Sequence, residues 1–339
     1  MKNLKDGAIS LLIDLIKIPS FSTKESKTAD RIADFLSTQD IEYQRITNNI
    51  VSRNRTFSID KKNIILNSHH DTVKVVGGWS RDPFGAEIDG NILYGLGSND
   101  AGASIVSLIT TYVHFYEKEL PYNLVLIASA EEEIFGGNGM ASILENLDFK
   151  PDLGIIGEPT EMKMAVAEKG LLVIDCSAKG TSGHVAHQKG DNAIYKAMKD
   201  VEWLSTFEFP KVSEMLGKVS ISVTQIEAGY QHNVVPDICK FVVDVRVNEC
   251  YSLKEIFQTI EQNCISKLQP RNFERNPSKI DLEHPLVKRG LSMGLPYYGS
   301  STLSDQVHFK CPTLKIGPGD SLRSHTADEF IRLSEVRDG

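Results

Sequence analysis

Short, almost continuously apolar runs constrain the fold of this chain more than any other feature. Three of them have the length of strands buried on both faces: NIILNS (63–68), NLVLIASA (123–130) and LGIIG (153–157). The stretches with apolar residues at helical spacing are 6–17, 25–38 and 102–117. Strands that alternate with helices predict a mainly parallel sheet flanked by helices, so we expect an α/β fold.

The middle of the chain has a different order of elements. Strand-like and helix-like stretches predict β-α-β-β-α-β, in the order 164–178, 191–207, 217–226, 240–247, 252–266 and an extended stretch after Lys267. An αβ pattern with CPTLKIG as its strand follows. We therefore expect a discontinuous catalytic metal-binding domain, residues 1–165 and 277–339. An inserted α+β two-layer domain, residues 166–276, would interrupt it.

Composition excludes several classes of protein. The chain has 339 residues, 41% of them hydrophobic and 24% charged, which is typical of a globular protein of about two domains. A formal net charge of −8 disfavours nucleic acid and anionic membranes as partners. No run is long enough to span a membrane, and Met1–Asp6 lacks a signal-peptide pattern. Five scattered cysteines without a C-x-x-C pair favour the reducing cytoplasm.

Acids and histidines follow the predicted buried strands. His69 and Asp71 come after the first strand, Glu131–Glu133 after the second and Glu158 after the third. Ligands of open α/β sheets bind at the carboxyl ends of strands, so these side chains are expected to line one crevice. Asp100, after a hairpin-like stretch, and His325, after the Gly317–Gly319 turn, are further candidates for the same edge.

A metal ion would resolve the repulsion among these carboxylates. Imidazole and carboxylate ligands without thiolate suit zinc or a related cation, and one carboxylate could bridge two ions. Three consecutive glutamates cannot all face the site. Taken singly, His69 also fits a buried structural histidine, the glutamates a solvated helix start, and Asp100 a helix cap. Only their joint occurrence at strand ends favours a metal site.

Several motifs, taken in order, resemble the zinc-dependent aminoacylase, carboxypeptidase and desuccinylase superfamily, and within it the acetylornithine deacetylase-like branch. The matching stretches cover nearly the whole chain: SHHDTV with GGWSRDPF, LYGLGSND, SAEEEIFGG, IIGEPT, EKG, SGHVAH, HNVVPD with VDVRV, and GPG with SHTADEF. The resemblance implies two divalent metal ions, zinc in the first place and cobalt or manganese as alternatives.

The resemblance also implies a role for each matching residue. His69 and Glu158 would bind one ion, Glu133 and His325 the other, and Asp100 would bridge them. Asp71 would orient His69, and Glu132 would be the general base.

The same resemblance extends to the insertion, which would be a dimerisation or lid domain, and it implies a homodimer. His184 would reach into the partner subunit's site and stabilise the oxyanion. Asn233, Arg246, Gly317 and Gly319 would hold the substrate's α-carboxylate.

The implied reaction is metal-dependent amide hydrolysis of a small N-acyl amino acid. The enzyme would remove an acetyl or succinyl group from the α-amine of ornithine or citrulline in arginine biosynthesis. One alternative is a metallo-dipeptidase or exopeptidase of the same superfamily. Another is a non-catalytic paralogue that binds its ligand in the same cleft.

Overall fold

The computed structural model describes residues 2–187 and 189–339 and divides the chain into two compact units. Unit 1 contains the described residues up to Val166, then Ile280–Tyr298 and Ser304–Gly339. Unit 2 contains Ala167–Lys279 and Gly299–Leu303. The divisions after Val166 and Lys279 compare with the predicted ones after residues 165 and 276. No sequence pattern indicated that the chain returns to unit 2 at 299–303.

The helices and strands have the following bounds. The α-helices of the described residues are α1 (Lys2–Ile16), α2 (Ser26–Ser37), α3 (Ala103–Phe115), α4 (Met140–Asn146), α5 (Ala193–Thr206), α6 (Leu253–Asn263), α7 (Pro285–Ser292) and α8 (Leu333–Asp338). The strands are β1 (Gln44–Ile46), β2 (Asn49–Arg53), β3 (Asn63–His69), β4 (Ile88–Asp89), β5 (Ile92–Tyr94), β6 (Asn123–Ser129), β7 (Leu153–Ile156), β8 (Met164–Glu168), β9 (Gly170–Lys179), β10 (Gly183–His184), β11 (Ser220–Ala228), β12 (Val234–Val235), β13 (Ile238–Val247), β14 (Lys267–Pro270), β15 (Ser278–Lys279), β16 (Tyr297–Ser300), β17 (Thr313–Lys315) and β18 (Phe330–Arg332). Across the same residues, no helix has both the length and the apolar character needed to cross a bilayer.

A mixed sheet forms the centre of unit 1, with its strands in the order β1-β2-β6-β3-β7-β17-β8. The four central strands, β6, β3, β7 and β17, run parallel. The strands on either side of them pair antiparallel. The predicted α/β class with a mainly parallel sheet is therefore confirmed.

Both faces of this sheet are covered, which explains its continuously apolar strands. Leu124 and Leu126 of β6 pack into a core shared with α1, α2 and α3. Val125 and Ile127 of the same strand pack on the other side, in a cluster that includes Ile143 of α4. Because alternate residues of a strand point to opposite faces, two covered faces require an apolar residue at nearly every position.

The strand order places the predicted site residues side by side. β3 lies between β6 and β7, with His69 opposite Ser129 and Asn67 opposite Ile156. Parallel strands end at the same edge, so the segments that follow these three strands leave the sheet next to one another. β17 extends the parallel set beside β7 and leads to the Gly317–Gly319 turn.

Unit 2 contains an antiparallel sheet with the order β11-β13-β9-β14. Residues of α5 and α6 share a core with the inward residues of this sheet. The order β9, α5, β11, β13, α6, β14 matches the expected pattern. The predicted strand 164–178 is divided into β8 and β9, and helix α6 ends at Asn263 rather than 266.

Candidate metal centre

Two triads of possible metal ligands share Asp100 at the carboxyl edge of the parallel strands. In each triad, His69–Asp100–Glu158 and Asp100–Glu133–His325, one ligand atom from each residue lies within 4.8 Å of the others. His69 Nε2 is 3.3 Å from Asp100 Oδ1 and 3.8 Å from Glu158 Oε1. His325 Nε2 is 3.5 Å from Asp100 Oδ2 and 3.0 Å from Glu133 Oε2. The two oxygens of Asp100 thus approach different histidines, as a bridging carboxylate requires.

The donor set and its electrostatics fit two divalent cations. Each triad offers one imidazole and two carboxylates, a combination suited to zinc and related ions. Burial raises the pKa of Glu158 to about 8 and raises the pKa of Glu132 well above its usual range. Neighbouring acids contribute to both of these raised pKa values, after burial. This excess of buried negative charge is what two cations would neutralise.

The same carboxylates raise the pKa values of the His69 and His325 imidazoles. Burial disfavours a charged His69, but hydrogen bonds to Asp100 and Asp71 outweigh it and raise its pKa well above the usual value. A hydrogen bond to Glu133 raises the pKa of His325 to about 9. Without metal, protons on the two imidazoles therefore compensate part of the negative charge.

Asp71 contacts both His69 and the loop of Glu131–Glu133. His69 Nδ1 lies 3.0 Å from the Asp71 carbonyl oxygen and 3.4 Å from its Oδ1. The Asp71 carboxylate also accepts hydrogen bonds from Ser22 Oγ (2.7 Å) and from the backbone N–H groups of Glu132 (3.1 Å) and Glu133 (3.2 Å). The buried Asp71 carboxylate therefore connects the end of β3 with the loop that follows β6.

The three consecutive glutamates point in different directions. Glu131 has left-handed backbone geometry, with a φ of 58°, and its carboxylate accepts hydrogen bonds from the backbone and side chain of Asn138. Glu132 Oε2 lies 4.0 Å from His69 Nε2, and Glu133 belongs to the second triad. As the sequence predicted, only part of the motif faces the site.

Glu329 supports Asp100 and was not indicated by any sequence pattern. Asp100 has extended geometry (φ −115°, ψ 99°), and the peptide bond to Ala101 is cis. Glu329 is 2% exposed and accepts hydrogen bonds from the backbone N–H groups of Gly97 (3.1 Å), Asn99 (2.9 Å) and Asp100 (3.0 Å). A single buried acid in a loop belongs to no periodic pattern, so the sequence cannot distinguish it from an exposed acid.

Two other buried ionisable residues near the centre also carried no sequence signal. Asp305 accepts a hydrogen bond from Ser129 Oγ (2.7 Å), and burial raises its pKa. Lys315, at the end of β17, is buried, and its positive charge partly offsets the rise in the pKa of Glu158. Alternation in a short strand does not reveal that a lysine is buried.

The glycine turn packs against the segments that carry predicted ligands. A Cβ at Gly317 would lie 2.3 Å from Ser104 Oγ and 2.6 Å from the Glu158 carbonyl oxygen. Gly319 has a φ of 93°, and a Cβ there would lie 2.4 Å from Asn99 Oδ1. Both glycines therefore have a packing role in unit 1, and their predicted contact with substrate stays a prediction.

The other predicted site residues lie in unit 2. His184 is exposed on β10, next to the segment that holds Asn233, whose carbonyl accepts a hydrogen bond from Val185 N (3.2 Å). Arg246 on β13 donates from Nε to Asp244 Oδ1 (2.8 Å). The structure thus brings His184 and Asn233 together, and their functions, like that of Arg246, stay predictions.

Comparisons with known proteins show what the chain is similar to. Residues 166–272 match the peptidase dimerisation domain of the M20 peptidases. The chain is 26% identical to succinyl-diaminopimelate desuccinylase of Cereibacter sphaeroides, covering 97% of this chain and 94% of that one. The same figures hold for acetylornithine deacetylase of Buchnera aphidicola: 26%, 97% and 94%. The chain is therefore similar over almost its whole length to these amide hydrolases, and its middle part matches the M20 dimerisation domain.

Solved structures of M20 peptidases have the same fold as this chain. An M20 family metallo-carboxypeptidase from Sulfolobus solfataricus matches with a TM-score of 0.76 at 18% identity, covering 97% of this chain and 96% of that one. A dinuclear metal-binding M20 peptidase from Bacillus subtilis matches with a TM-score of 0.73 at 15% identity, covering 99% and 95%. The predicted resemblance to the superfamily is confirmed.

Proposed function

We propose that this M20 hydrolase removes an acetyl or succinyl group from the α-amine of ornithine or citrulline in arginine biosynthesis. The observation that carries the proposal is Glu132, a buried carboxylate of raised pKa beside two ligand triads joined by Asp100. Sequence relatives named acetylornithine deacetylase and succinyl-diaminopimelate desuccinylase support the class of substrate. Five unpaired cysteines suit a reducing compartment, so we place the reaction in the cytoplasm.

His69, Asp100 and Glu158 would hold one ion, and Asp100, Glu133 and His325 the other, with zinc as the expected metal and cobalt or manganese as alternatives. When bound, such a pair lowers the pKa of water and polarises the scissile carbonyl. Asp71 keeps the imidazole of His69 in one orientation through the contacts at Nδ1.

Glu132 would be the general base and then the general acid. Its raised pKa suits a group that takes a proton from the attacking water near neutral pH and returns it to the leaving amine. The hydrogen bond from its backbone N–H to Asp71 fixes the position from which its side chain acts. Proton transfer by a group held in this way needs little reorganisation.

The match to a dimerisation domain supports a homodimer. His184 would stabilise the oxyanion in the partner subunit's site. Arg246, aligned by its ion pair with Asp244, would bind the substrate's α-carboxylate together with Asn233 and the glycine turn. A His184→Ala protein that keeps the mass of a dimer and full activity would refute the shared site.

The test is a hydrolysis assay of purified protein on N-acetyl and N-succinyl derivatives of ornithine and citrulline, with dipeptides alongside. We expect release of the free amino acid, loss of activity with a chelator, and recovery with zinc or cobalt. Faster hydrolysis of dipeptides would replace the proposal by the exopeptidase alternative. Metal binding without hydrolysis of any of these compounds would favour a binding paralogue.

A further inference from the structure

The Glu329 carboxylate uses both of its oxygens on the main chain next to Asp100. Oε1 accepts from the N–H groups of Asn99 (2.9 Å) and Asp100 (3.0 Å), and Oε2 accepts from that of Gly97 (3.1 Å). The side chain is almost completely buried and belongs to neither ligand triad. A buried carboxylate is costly to keep, so three backbone donors converging on one indicate a specific arrangement.

We propose that Glu329 is a positioning residue that holds Asp100 where its two oxygens can bridge two metal ions. This inference rests on the proposed metal-dependent function. Glu329 would act through the backbone of residues 97–100 and touch neither the ions nor the substrate. Its role is separate from that of Asp71, which contacts His69 and the backbone of Glu132 and Glu133.

The geometry of Asp100 shows why such support is needed. Its oxygens lie 3.3 Å from His69 Nε2 and 3.5 Å from His325 Nε2, so a small rotation of the main chain would move one oxygen away from its histidine. The segment before it is not a regular helix, because Asp100 has extended backbone angles. Helical hydrogen bonds therefore do not fix its direction, and the bonds to Glu329 do so instead.

Glu329 is itself held in place by a strand ladder. β18 pairs with β5, with Phe330 opposite Tyr94, and Gly95 N donates to the Glu329 carbonyl oxygen at 2.9 Å. Glu329 also lies in the segment that carries His325. The same contact therefore sets the bridging carboxylate relative to a ligand of the second triad.

The experiment is titration of the metal-free protein with Co²⁺, followed by calorimetry and by the visible absorption of the bound ion. We expect the wild type to bind two equivalents and Glu329→Gln to lose roughly tenfold or more in affinity, as loss of a residue that supports a ligand typically causes. The amide would keep the size of the side chain but turn an N–H₂ toward a backbone donor. Glu329→Asp, which keeps the carboxyl group on a shorter side chain, should fall between the two.

Asp200 provides a matched control in unit 2. It is also buried and accepts two backbone N–H groups, those of Ile265 and Ser266, both at 2.9 Å. Asp200→Asn should lower the melting temperature and leave Co²⁺ binding unchanged. Glu329→Gln with wild-type Co²⁺ affinity and absorption would overturn the inference, whatever its melting temperature.

Hydrogen exchange on the wild type covers the case of a variant that does not fold. The amides of Gly97, Asn99 and Asp100 should exchange slowly before any metal is added. Fast exchange that becomes slow only with Co²⁺ would show that the metal, rather than Glu329, positions Asp100. Neither readout uses substrate, so a failed substrate assay would leave the inference standing, whereas equal Co²⁺ affinity would overturn it and leave the hydrolase proposal intact.

Discussion

Asp71, Glu131 and Glu329 each accept hydrogen bonds from backbone N–H groups of loops that carry or adjoin ligand residues. These bonds satisfy donors in loops that have no helical or strand partner for them. Glu132 has a different environment, since its carboxylate faces His69 and neighbouring acids. The acids of the centre therefore divide into those that shape loops and those available for ligation or proton transfer.

Glu132→Gln tests the role of the general base. We expect kcat to fall by about 10²–10⁴-fold, because the amide cannot accept a proton, while two equivalents of Co²⁺ still bind. Glu145→Gln, on the exposed side of α4, is the control and should leave kcat unchanged. Steady-state kinetics and metal analysis on the same samples distinguish the loss of proton transfer from the loss of metal. Near-normal turnover in Glu132→Gln would exclude it as the base.

For single residues, the sequence predicted at which strand ends the ionisable side chains cluster. It did not predict which groups each carboxylate contacts. His69, Glu132 and Glu158 were found because they follow apolar strands. Which glutamate turns away depends on the positive φ of Glu131, and the burial of Glu329 depends on a strand pair made by residues far apart in the chain. Neither property leaves a local pattern.

Among the elements, the turn after β17 packs against the backbone of Glu158, a residue of one ligand triad. Gly317→Ala would place a methyl group within 2.6 Å of the Glu158 carbonyl oxygen, so the turn or the ligand segment must move. We expect a loss of about 1–3 kcal/mol in the free energy of unfolding and weaker binding of Co²⁺. Denaturant unfolding and metal titration measure the two effects.

Gly137→Ala is the matched control, since a Cβ there meets no atom within 4 Å. It should change the free energy of unfolding by less than about 0.5 kcal/mol. If Gly317→Ala behaved in the same way, the turn would not be rigidly packed against Glu158.

The sequence predicted the long, well-covered elements and not the short ones. β3, β6 and the helices before and between them have clear periodicity because both sheet faces are buried. β4, β10, β12 and β15 have only two residues each, too few for a period to be recognised. Their positions depend on partners elsewhere in the chain.

For the whole molecule, the titrating groups of the metal centre make the stability of the fold depend on both metal binding and pH. Burial raises the pKa of Glu158 and of Glu329 to about 8, from a usual value of 4.5. Between these values the folded metal-free chain holds protons that the unfolded chain has lost. The stability that these two groups contribute is therefore fully present below their unfolded pKa and is lost as the pH rises through their folded pKa.

We expect chelated protein to be less stable at pH 8 than at pH 6, with each such group contributing about 1.4 kcal/mol per pH unit. Zinc or cobalt should raise the melting temperature and reduce this slope, because bound cations replace the protons. Glu158→Gln removes one titrating group and should flatten the profile of the chelated protein. A flat profile in the chelated wild type would contradict the expectation.

Exposed apolar side chains of unit 2 offer a test of self-association. Tyr195 and Met198 on α5, and Ile226 on the edge strand β11, are more than half exposed (67%, 57% and 58%). We expect Met198→Lys with Ile226→Lys to convert a dimer into a monomer in light scattering, because two lysines would have to be desolvated in the interface. Ile59→Lys, at an exposed residue of unit 1, should keep the dimer mass.

The position of β17 has a consequence for biosynthesis. This strand lies between β7 and β8 in the sheet, yet the ribosome makes it nearly half a chain length after β7. Until then, β7 and β8 have no partner at the place that β17 later fills, and unpaired strand edges of this kind promote aggregation. His325 is synthesised later still. During synthesis, the central sheet of unit 1 therefore receives its last parallel strand late. The residues of unit 2 have all been made before that strand.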